Sequence, residues 1–419
     1  MSDRHAVDVA VVGAGPAGLS AAVHAAESGA RVTVIDQTWH AGGQIWRHRD
    51  RAELPDEARA LMARFEASGA QHLAGTSLFD ARPGHLSVLG PNGSLELIAG
   101  AVVLATGARE RFLPFPGWTL PNVFGVGGLQ ALVKAGLEVN GKRIALSGSG
   151  PLLFPVAATL AQHGAQLAAV CEQAPRGRVT RFAASLWREP GKLAQAARYR
   201  STFRHVPFRM GTWIERAEGE GRVQRAILTD GTRRWSVDCD MVGAACGLIP
   251  SVEVGMAMGC DIVNGAVAVD ARQQTSVAGV YAAGECTGVA GEDAAIVEGA
   301  IAGLSAAGRP AEALYARRDR GRAFAARLET AFSPRPELRD RADATTIVCR
   351  CEDVRLDELR AEWGARQGKL ASRAGMGACQ GRVCGAALAH LFGWEAPRVR
   401  PPLVPVPVSA LRPAEPLRD

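Results

Sequence analysis

Short apolar runs alternate with helical stretches from the N-terminus onward. Val7–Val12 reads as a strand, Gly18–Ser28 as a helix, Arg31–Asp36 as a second strand and Ala101–Ala105 as another. That alternation predicts a parallel sheet with crossover helices. The pattern then recurs, with a strand at Arg143–Ser147, a helix at Leu152–His163 and a strand at Gln166–Cys171. Two βαβ units, opened by glycine turns at Gly13 and Gly148, imply one α/β domain inserted into another. A third block, Gly279–Ala307, joins a strand to a long Ala/Gly helix. From Pro310 to Asp343 charge and alanine dominate, and Pro334 and Pro336 turn the expected helix into a linker. A small Cys/Gly module spans Thr345–Trp394, with helices expected over Val354–Glu362 and Val383–Phe392. The tail after Pro397 contains Pro-Pro-Leu-Val-Pro-Val-Pro-Val, an extended segment that is either polyproline-like or packed along a neighbouring surface.

Composition narrows the class. A chain of 419 residues is too long for one ordinary core. Hydrophobic residues at 47% and charged residues at 21% are ordinary for a globular protein. The net charge of +6 comes mostly from scattered arginines, and Arg317-Arg318-Asp319-Arg320 reads as a solvated helix face, so no nucleic-acid partner is expected. The segment Pro175–Arg234 is basic and helical in its first part, with no role assignable from sequence. No apolar run approaches the roughly 20 residues of a membrane span. The first residues lack a leader, and nine cysteines make an odd number, so a cytoplasmic protein without a disulfide framework is expected. No Ser/His/Asp or Cys/His arrangement is apparent, and His5, His24, His40, His48 and His163 read as surface or capping residues. No catalytic side chain is assignable.

Gly13-Ala14-Gly15-Pro16-Ala17-Gly18 is a G-x-G-x-x-G directly after a strand and opening a helix. Gly13 makes the tight turn, Gly15 admits a pyrophosphate to the backbone, and Gly18 lets helix and strand pack closely. The helix N-terminus offers free N–H groups to phosphate. Asp36, followed by Gln37, ends the next strand where an acid accepts ribose hydroxyls. Downstream, Val103–Ala108 is a strand ending in an Ala-Thr-Gly turn at Thr106 and Gly107, and Thr275–Cys286 is a strand followed by the Gly284-Glu285 turn.

Here the sequence resembles the two-dinucleotide-fold flavoproteins that include thioredoxin reductase. The resemblance implies FAD, with Thr106 and Gly107 passing near the flavin nucleotide and Gly284-Glu285 contacting ribityl chain and pyrophosphate. The family usually has Asp where this chain has Glu285. It also implies that Gly43 and Gln44, in Gly42-Gly43-Gln44, flank the isoalloxazine. Ala294 and Ala295, at a helix start, would turn their amides toward the flavin O2. No C-x-x-C occurs, and Cys239 and Cys246 read as buried thiols, so a disulfide reductase is not expected.

The second fingerprint, Gly148-Ser149-Gly150-Pro151-Leu152-Leu153, has Leu153 in place of the third glycine. Glu172 after the next strand suits an unphosphorylated ribose, but nothing marks a nicotinamide pocket. A second nucleotide, NAD(P) or ATP, therefore stays open beside a structural relic.

Cys349-x-Cys351 and Cys379-x4-Cys384 place two close thiol pairs 27 residues apart. Four thiolates suit zinc or an iron–sulfur cluster, and the tight C-x-C favours iron. The wording Cys349-Arg350-Cys351-Glu352 and Gly375-Met376-Gly377-Ala378-Cys379-Gln380-Gly381-Arg382-Val383-Cys384 closely resembles the bacterioferritin-associated-ferredoxin-like [2Fe–2S] domain. Joined to the flavoprotein body, the whole chain resembles the large FAD/iron–sulfur subunits of opine oxidases, hydroxyproline dehydrogenases and hydrogen cyanide synthase.

The implied fold is α/β, with two Rossmann-like domains and a small helical [2Fe–2S] domain. FAD would take residues 1–115 and 240–330, the second dinucleotide-type domain 116–239, the cluster domain 345–395 and the tail 396–419. The implied function is an FAD-dependent oxidoreductase that carries electrons for an amine or amino-acid dehydrogenase, the donor being opine-, hydroxyproline- or glycine-like. Its partners would be a second flavoprotein of glycine-oxidase-like type and a small ferredoxin-like subunit, with peripheral association with a respiratory chain. The runner-up is a self-sufficient NAD(P)H:acceptor oxidoreductase.

Overall fold

Strand Arg4–Val12 pairs in parallel with Val32–Ile35 on one side and with Gly93–Leu104 on the other. The computed structural model to which these strands belong describes residues 4–48, 51, 54–395 and 399–411. It divides into two compact units, the first made of Met1–Arg109, Ile249–Ala326 and Arg398–Asp419 and the second of Glu110–Leu248 and Arg327–Pro397.

In the first unit Val32–Ile35 extends the sheet to Gln71–Leu73. Gly93–Leu104 serves two further neighbours. Its first half pairs antiparallel with His85–Gly90, and Val102–Leu104 pair in parallel with Val280–Ala282. The chain thus returns, after a long excursion, to a sheet begun at its N-terminus. Val9, Val11, Val34 and Val103 face one side with Leu19 and Val23, while Ala10, Val12, Ile35 and Val102 face the other with Val280. Burial on both faces is why these strands read as unbroken apolar runs.

Helices Pro16–Glu27 and Glu292–Ala306 pack on one face almost backbone to backbone. A Cβ at Gly299 would stand 2.1 Å from the Ala17 carbonyl oxygen, and one at Gly303 would stand 2.2 Å from that of Ala21. The two glycines are one turn apart and so meet the same neighbour. The Ser20 hydroxyl fixes the crossing by donating to the Ile296 carbonyl at 2.7 Å. The tail packs back on its own unit at Leu403, whose amide donates to the Phe79 carbonyl at 2.7 Å, although Val408 is 82% exposed.

The second unit holds a five-stranded parallel sheet in the order Phe208–Met210, Gln166–Glu172, Arg143–Gly148, Met241–Ala244, Val123–Phe124. Helices Val126–Lys134 and Leu153–Gln162 cover one face over Leu129, Ile144 and Leu146. An antiparallel sheet of Trp213–Glu218, Arg225–Thr229 and Arg234–Asp238 contributes Ile214 and Leu228 to the other. Cys239 and Cys246 are both buried. The linker is helix Tyr315–Phe332 followed by a short turn at Pro336–Leu338.

One expected helix is not there. Val354–Glu362 is instead a short strand, Val354–Arg355, followed by a single turn, Leu356–Glu358. Asp353 takes a φ of +53° and folds Val354 back beside Cys349, so its amide enters a hairpin ladder rather than a helix. The helix follows later, at Ala365–Ser372, and Cys384–Phe392 matches the second expectation. Among the described residues no helix is long and apolar enough to cross a membrane.

Gly303→Val should force the two helices apart and lower stability by about 1–3 kcal/mol. Thermal unfolding monitored by circular dichroism measures it. An unchanged midpoint would show that the helix contact is not close-packed in solution.

Candidate functional site

The first glycine turn is held open by its surroundings. Gly13, with φ +108°, donates its amide to the Ile35 carbonyl at 2.8 Å and so ties two strand ends together. A Cβ at Gly18 would strike the Gly13 carbonyl oxygen at 1.8 Å, which is the close approach the third glycine serves. At Gly15 a Cβ would meet only the Gly43 Cα, at 4.0 Å. Helix Pro16–Glu27 begins with proline, has no side-chain cap and carries no acid in its first turn. Its N-terminal amides are therefore left uncapped by side chains, with a partial positive charge at that end.

Asp36 reaches back into this turn. Its Oδ2 accepts from the Ala14 amide at 2.6 Å, and its Oδ1 from the Thr38 amide at 2.7 Å and hydroxyl at 2.6 Å. A carboxylate has about four acceptor positions, so Oδ2 keeps one for a further donor. The Gly42 amide donates to the Ala14 carbonyl at 2.7 Å, which sets Gly43 against Gly15. Gln37 and Gln44 are exposed at this rim. Trp46 behind them is buried and donates to Glu292 at 2.7 Å.

Sequence-distant candidates converge on the same turn. A Cβ at Gly284 would lie 2.7 Å from that of Ala17 and 3.5 Å from that of Ala295, so these three residues touch. Thr106 donates its hydroxyl to the Ser251 carbonyl at 2.6 Å, and Gly107 follows with φ +70°. Ala294 is buried, and the Ala295 amide is already engaged by the Gly291 carbonyl at 3.0 Å. The acids Glu292 and Asp293 occupy the first turn of that helix and offset its positive end.

Glu285 is half-buried, and desolvation raises its carboxyl above the ordinary range. Neither carboxylate oxygen has a hydrogen-bond partner among the described residues. A carboxylate in that state is competent to receive a hydroxyl donor.

The support behind Gly284 was not singled out from the sequence. Glu298 is 2% exposed and accepts from the Gly284 amide and the Thr287 hydroxyl, each at 3.0 Å. Arg322 pairs with it at 2.9 Å and donates to Gln273 at 2.8 Å, and Gln273 holds the Ala282 carbonyl at 2.8 Å. The available signal was a lone acid inside the apolar run Ala294–Gly303.

The second turn repeats the device with a different outcome. Glu172, 1% exposed, accepts from the Gly150 and Ala174 amides at 2.7 Å each, as Asp36 does from Ala14 and Thr38. Burial pushes its carboxyl up to about 7, against the two amides that favour the charged form. Leu153 fills the space beside Gly148, where a Cβ would meet its side chain at 3.0 Å. The mouth of this turn is taken by the chain itself. Ser149 donates to the Phe332 carbonyl, and Gln173 donates to Ser149 at 2.8 Å and accepts from the Arg335 amide at 3.0 Å. Leu338 and Arg341 follow the same segment into a small cavity beside Gly148, Ala245 and Cys246.

In the cysteine module the four thiols meet as two pairs. Cys349 and Cys384 are buried and interact with each other, as do Cys351, which is exposed, and Cys379. The Cys384 thiol and the Gly375 amide, 3.4 Å away, pull the Cys349 thiol below the ordinary range. A Cβ at Gly377 would lie 2.3 Å from that of Cys351, so the second arm crosses the first in direct contact. Among the described residues no three His, Cys, Asp or Glu side chains are arranged to hold one metal ion.

Residues 7–318 match the family described as pyridine nucleotide-disulphide oxidoreductase. The chain is 33% identical to the opine oxidase A-subunit of Rhizobium meliloti, over 95% of this chain and 97% of that one. It is 29% identical to hydrogen cyanide synthase subunit HcnB of Pseudomonas aeruginosa, over 96% and 97%. Among solved structures, L-proline dehydrogenase from P. horikoshii shares the fold with a TM-score of 0.69 at 21% identity, over 98% of this chain and 80% of that one. Thioredoxin reductase from T. acidophilum does so with 0.58 at 24%, over 73% and 98%. Fold, open glycine turn and relatives together define an FAD-dependent oxidoreductase. The chain belongs to the pyridine nucleotide-disulphide oxidoreductase family.

Glu172 sets a pH dependence. Its folded carboxyl titrates near 7 against 4.5 when unfolded, so the fold takes up a proton between those values. Its stabilising effect is present below pH 4.5 and is lost as pH rises through about 7. The loss is on the order of 3 kcal/mol. Thermal midpoints between pH 5 and pH 8 should fall less steeply in Glu172→Gln than in wild type, and parallel slopes would refute the assignment.

Proposed function

We propose that this chain is the FAD- and [2Fe–2S]-bearing electron-transfer subunit of a hetero-oligomeric amine or amino-acid dehydrogenase or oxidase, acting on a CH–NH or CH–NH2 donor. The observation that carries this reading is the end-to-end similarity to the opine oxidase A-subunit, which extends through the cysteine module. HcnB, similar over the same extent, is also named as one subunit of its enzyme.

The residues fit the cofactors. Gly13, Gly15 and Gly18 with the amides of Pro16–Glu27 would hold the FAD pyrophosphate, and Asp36 the ribose through the free position on Oδ2. Glu285 would receive a hydroxyl of the ribityl chain, with Gly284 locked by Glu298. Thr106, Gly107, Gly43, Gln44, Gln37 and the Ala294–Ala295 turn would border the flavin. FAD, when bound, takes two electrons from the donor side and passes them singly to a one-electron centre. Two thiols per metal is what a two-iron cluster needs, whereas zinc takes all four on one ion. Cys349 with Cys384 and Cys351 with Cys379 would each hold one iron. The second dinucleotide fold is read as a clamp for its own linker, since Ser149 and Gln173 hold Phe332–Arg335. That disfavours NAD(P) or ATP there, and with them a self-sufficient NAD(P)H oxidoreductase.

Purified protein should carry about one FAD and two irons with matching sulfide. Asp36→Ala should weaken FAD binding by roughly 1–3 kcal/mol, measured by flavin retention on dialysis. Cys379→Ser should leave FAD bound and remove the cluster absorption. Stoichiometric zinc without sulfide would end the cluster assignment.

The subunit reading is tested by tagging this chain and co-expressing it with a neighbouring glycine-oxidase-like reading frame. A second flavoprotein should co-purify, and dye reduction by proline-like amines, opines or glycine should need the complex. Turnover by the lone chain would overturn the reading, as would flavin bleaching by NADH at catalytic rates.

A further inference from the structure

Between Arg176 and Arg209 the chain carries eight arginines and one lysine against a single acid, Glu189. That is a net +8 within a chain of net +6, so the remainder is net −2. The charge is therefore concentrated on one excursion of the second unit, helices Arg176–Ser185 and Pro190–Thr202 with the turn Leu186–Arg188 between them. Glu189 offers little compensation, because it is paired with Arg327. Arg176, Arg181, Arg188, Arg198, Arg204 and Arg209 are exposed.

The same excursion is under-packed for a surface helix pair. A helix serving a globular core buries an apolar stripe. Pro190–Thr202 buries none of its residues, and Arg176–Ser185 buries only Phe182. At the turn Trp187 is 71% exposed, and in the second helix Leu193 is 47% exposed. Arg188 lies over the Trp187 ring at 5.0 Å.

We propose that this face docks on a membrane surface bearing anionic phospholipid headgroups. Exposed arginines together with exposed Trp187 and Leu193 make the composition of helices that lie in the headgroup layer. A protein partner fits less well. The core of a protein interface is depleted in charge, whereas here nine cations stand against one acid, Glu189. Each cation near such a surface is worth about fivefold in binding constant. The attachment gives a chain without a membrane-crossing helix among its described residues access to lipid-dissolved electron acceptors. It stands independently of which donor is oxidised.

The test uses the purified full-length chain, with bound flavin, in sedimentation with vesicles. Vesicles of phosphatidylcholine with about a third phosphatidylglycerol should bind it at 0.1 M salt, and pure phosphatidylcholine should not. Binding should fade as salt shortens the Debye length. R181Q/R188Q/R198Q should weaken binding about a hundredfold, from three cations at fivefold each. R82Q/R272Q/R320Q removes the same charge elsewhere and should bind as wild type does. Trp187→Ser should weaken binding several-fold with an unchanged salt slope. Equal binding to neutral vesicles, no binding to anionic ones, or a first triple variant that binds normally would each overturn the proposal. So would loss of a co-purifying protein in that variant with vesicle binding intact, which would make the face a protein interface.

Discussion

The backbone contact between Pro16–Glu27 and Glu292–Ala306 is the constraint on which the first unit depends. Any side chain at Gly299 or Gly303 would enter a carbonyl of the opposite helix. Because none is present, Ala17 reaches Gly284 and Ala295, and the glycine turn at the N-terminus meets a turn folded from the far end of the chain. Glu298, one residue before Gly299, is carried into the same layer. There it is buried, and a buried carboxylate must be fully satisfied. Two donors from the Gly284–Thr287 turn and the guanidinium of Arg322 satisfy it. The ion pair thereby selects one position for the turn that carries Glu285. Its value lies in specificity more than in net stability.

The two dinucleotide folds show how one backbone device diverges. In each, an acid at the end of the second strand accepts an amide from the glycine turn and another from two residues past itself. Asp36 stays partly open and keeps an acceptor position free. Glu172 is sealed, and its raised titration records that loss of water. Leu153 and the Phe332–Arg335 segment account for the difference. A bulky residue at the third glycine closes the turn from behind, and the linker occupies it in front.

Much of this was legible in the sequence. The strands around Gly13 and Gly148 announced themselves because buried parallel strands are continuous apolar runs, and the glycine spacings located both turns. The Glu298–Arg322–Gln273 support was not legible, since its members gain meaning only when the 273, 298 and 322 positions are adjacent in space. Nor was the plugged second turn, because a linker's polar atoms give no periodic signal of what they bind. The helix expected over Val354–Glu362 failed for a local reason. One residue, Asp353, adopts a left-handed conformation, and the hairpin it makes outcompetes helix propensity.

The unequal exposure of the two thiol pairs has a chemical consequence under the proposed assignment. Cys349 and Cys384 are each 1% exposed, with the Gly375 amide as the donor near the sulfur of Cys349. Extra negative charge on that side is poorly solvated and costly. Cys351 is exposed and Cys379 half-buried, so water would stabilise charge there. Burial and hydrogen bonding to sulfur are the levers that set such potentials. Exposure would therefore favour negative charge at Cys351 and Cys379, outside the hydrophobic core around Val348, Val354 and Leu388, while the Gly375 amide would offset part of the cost of burial at Cys349. The buried pair would then anchor the module and the surface pair would be the side open to an electron acceptor, a division set by exposure.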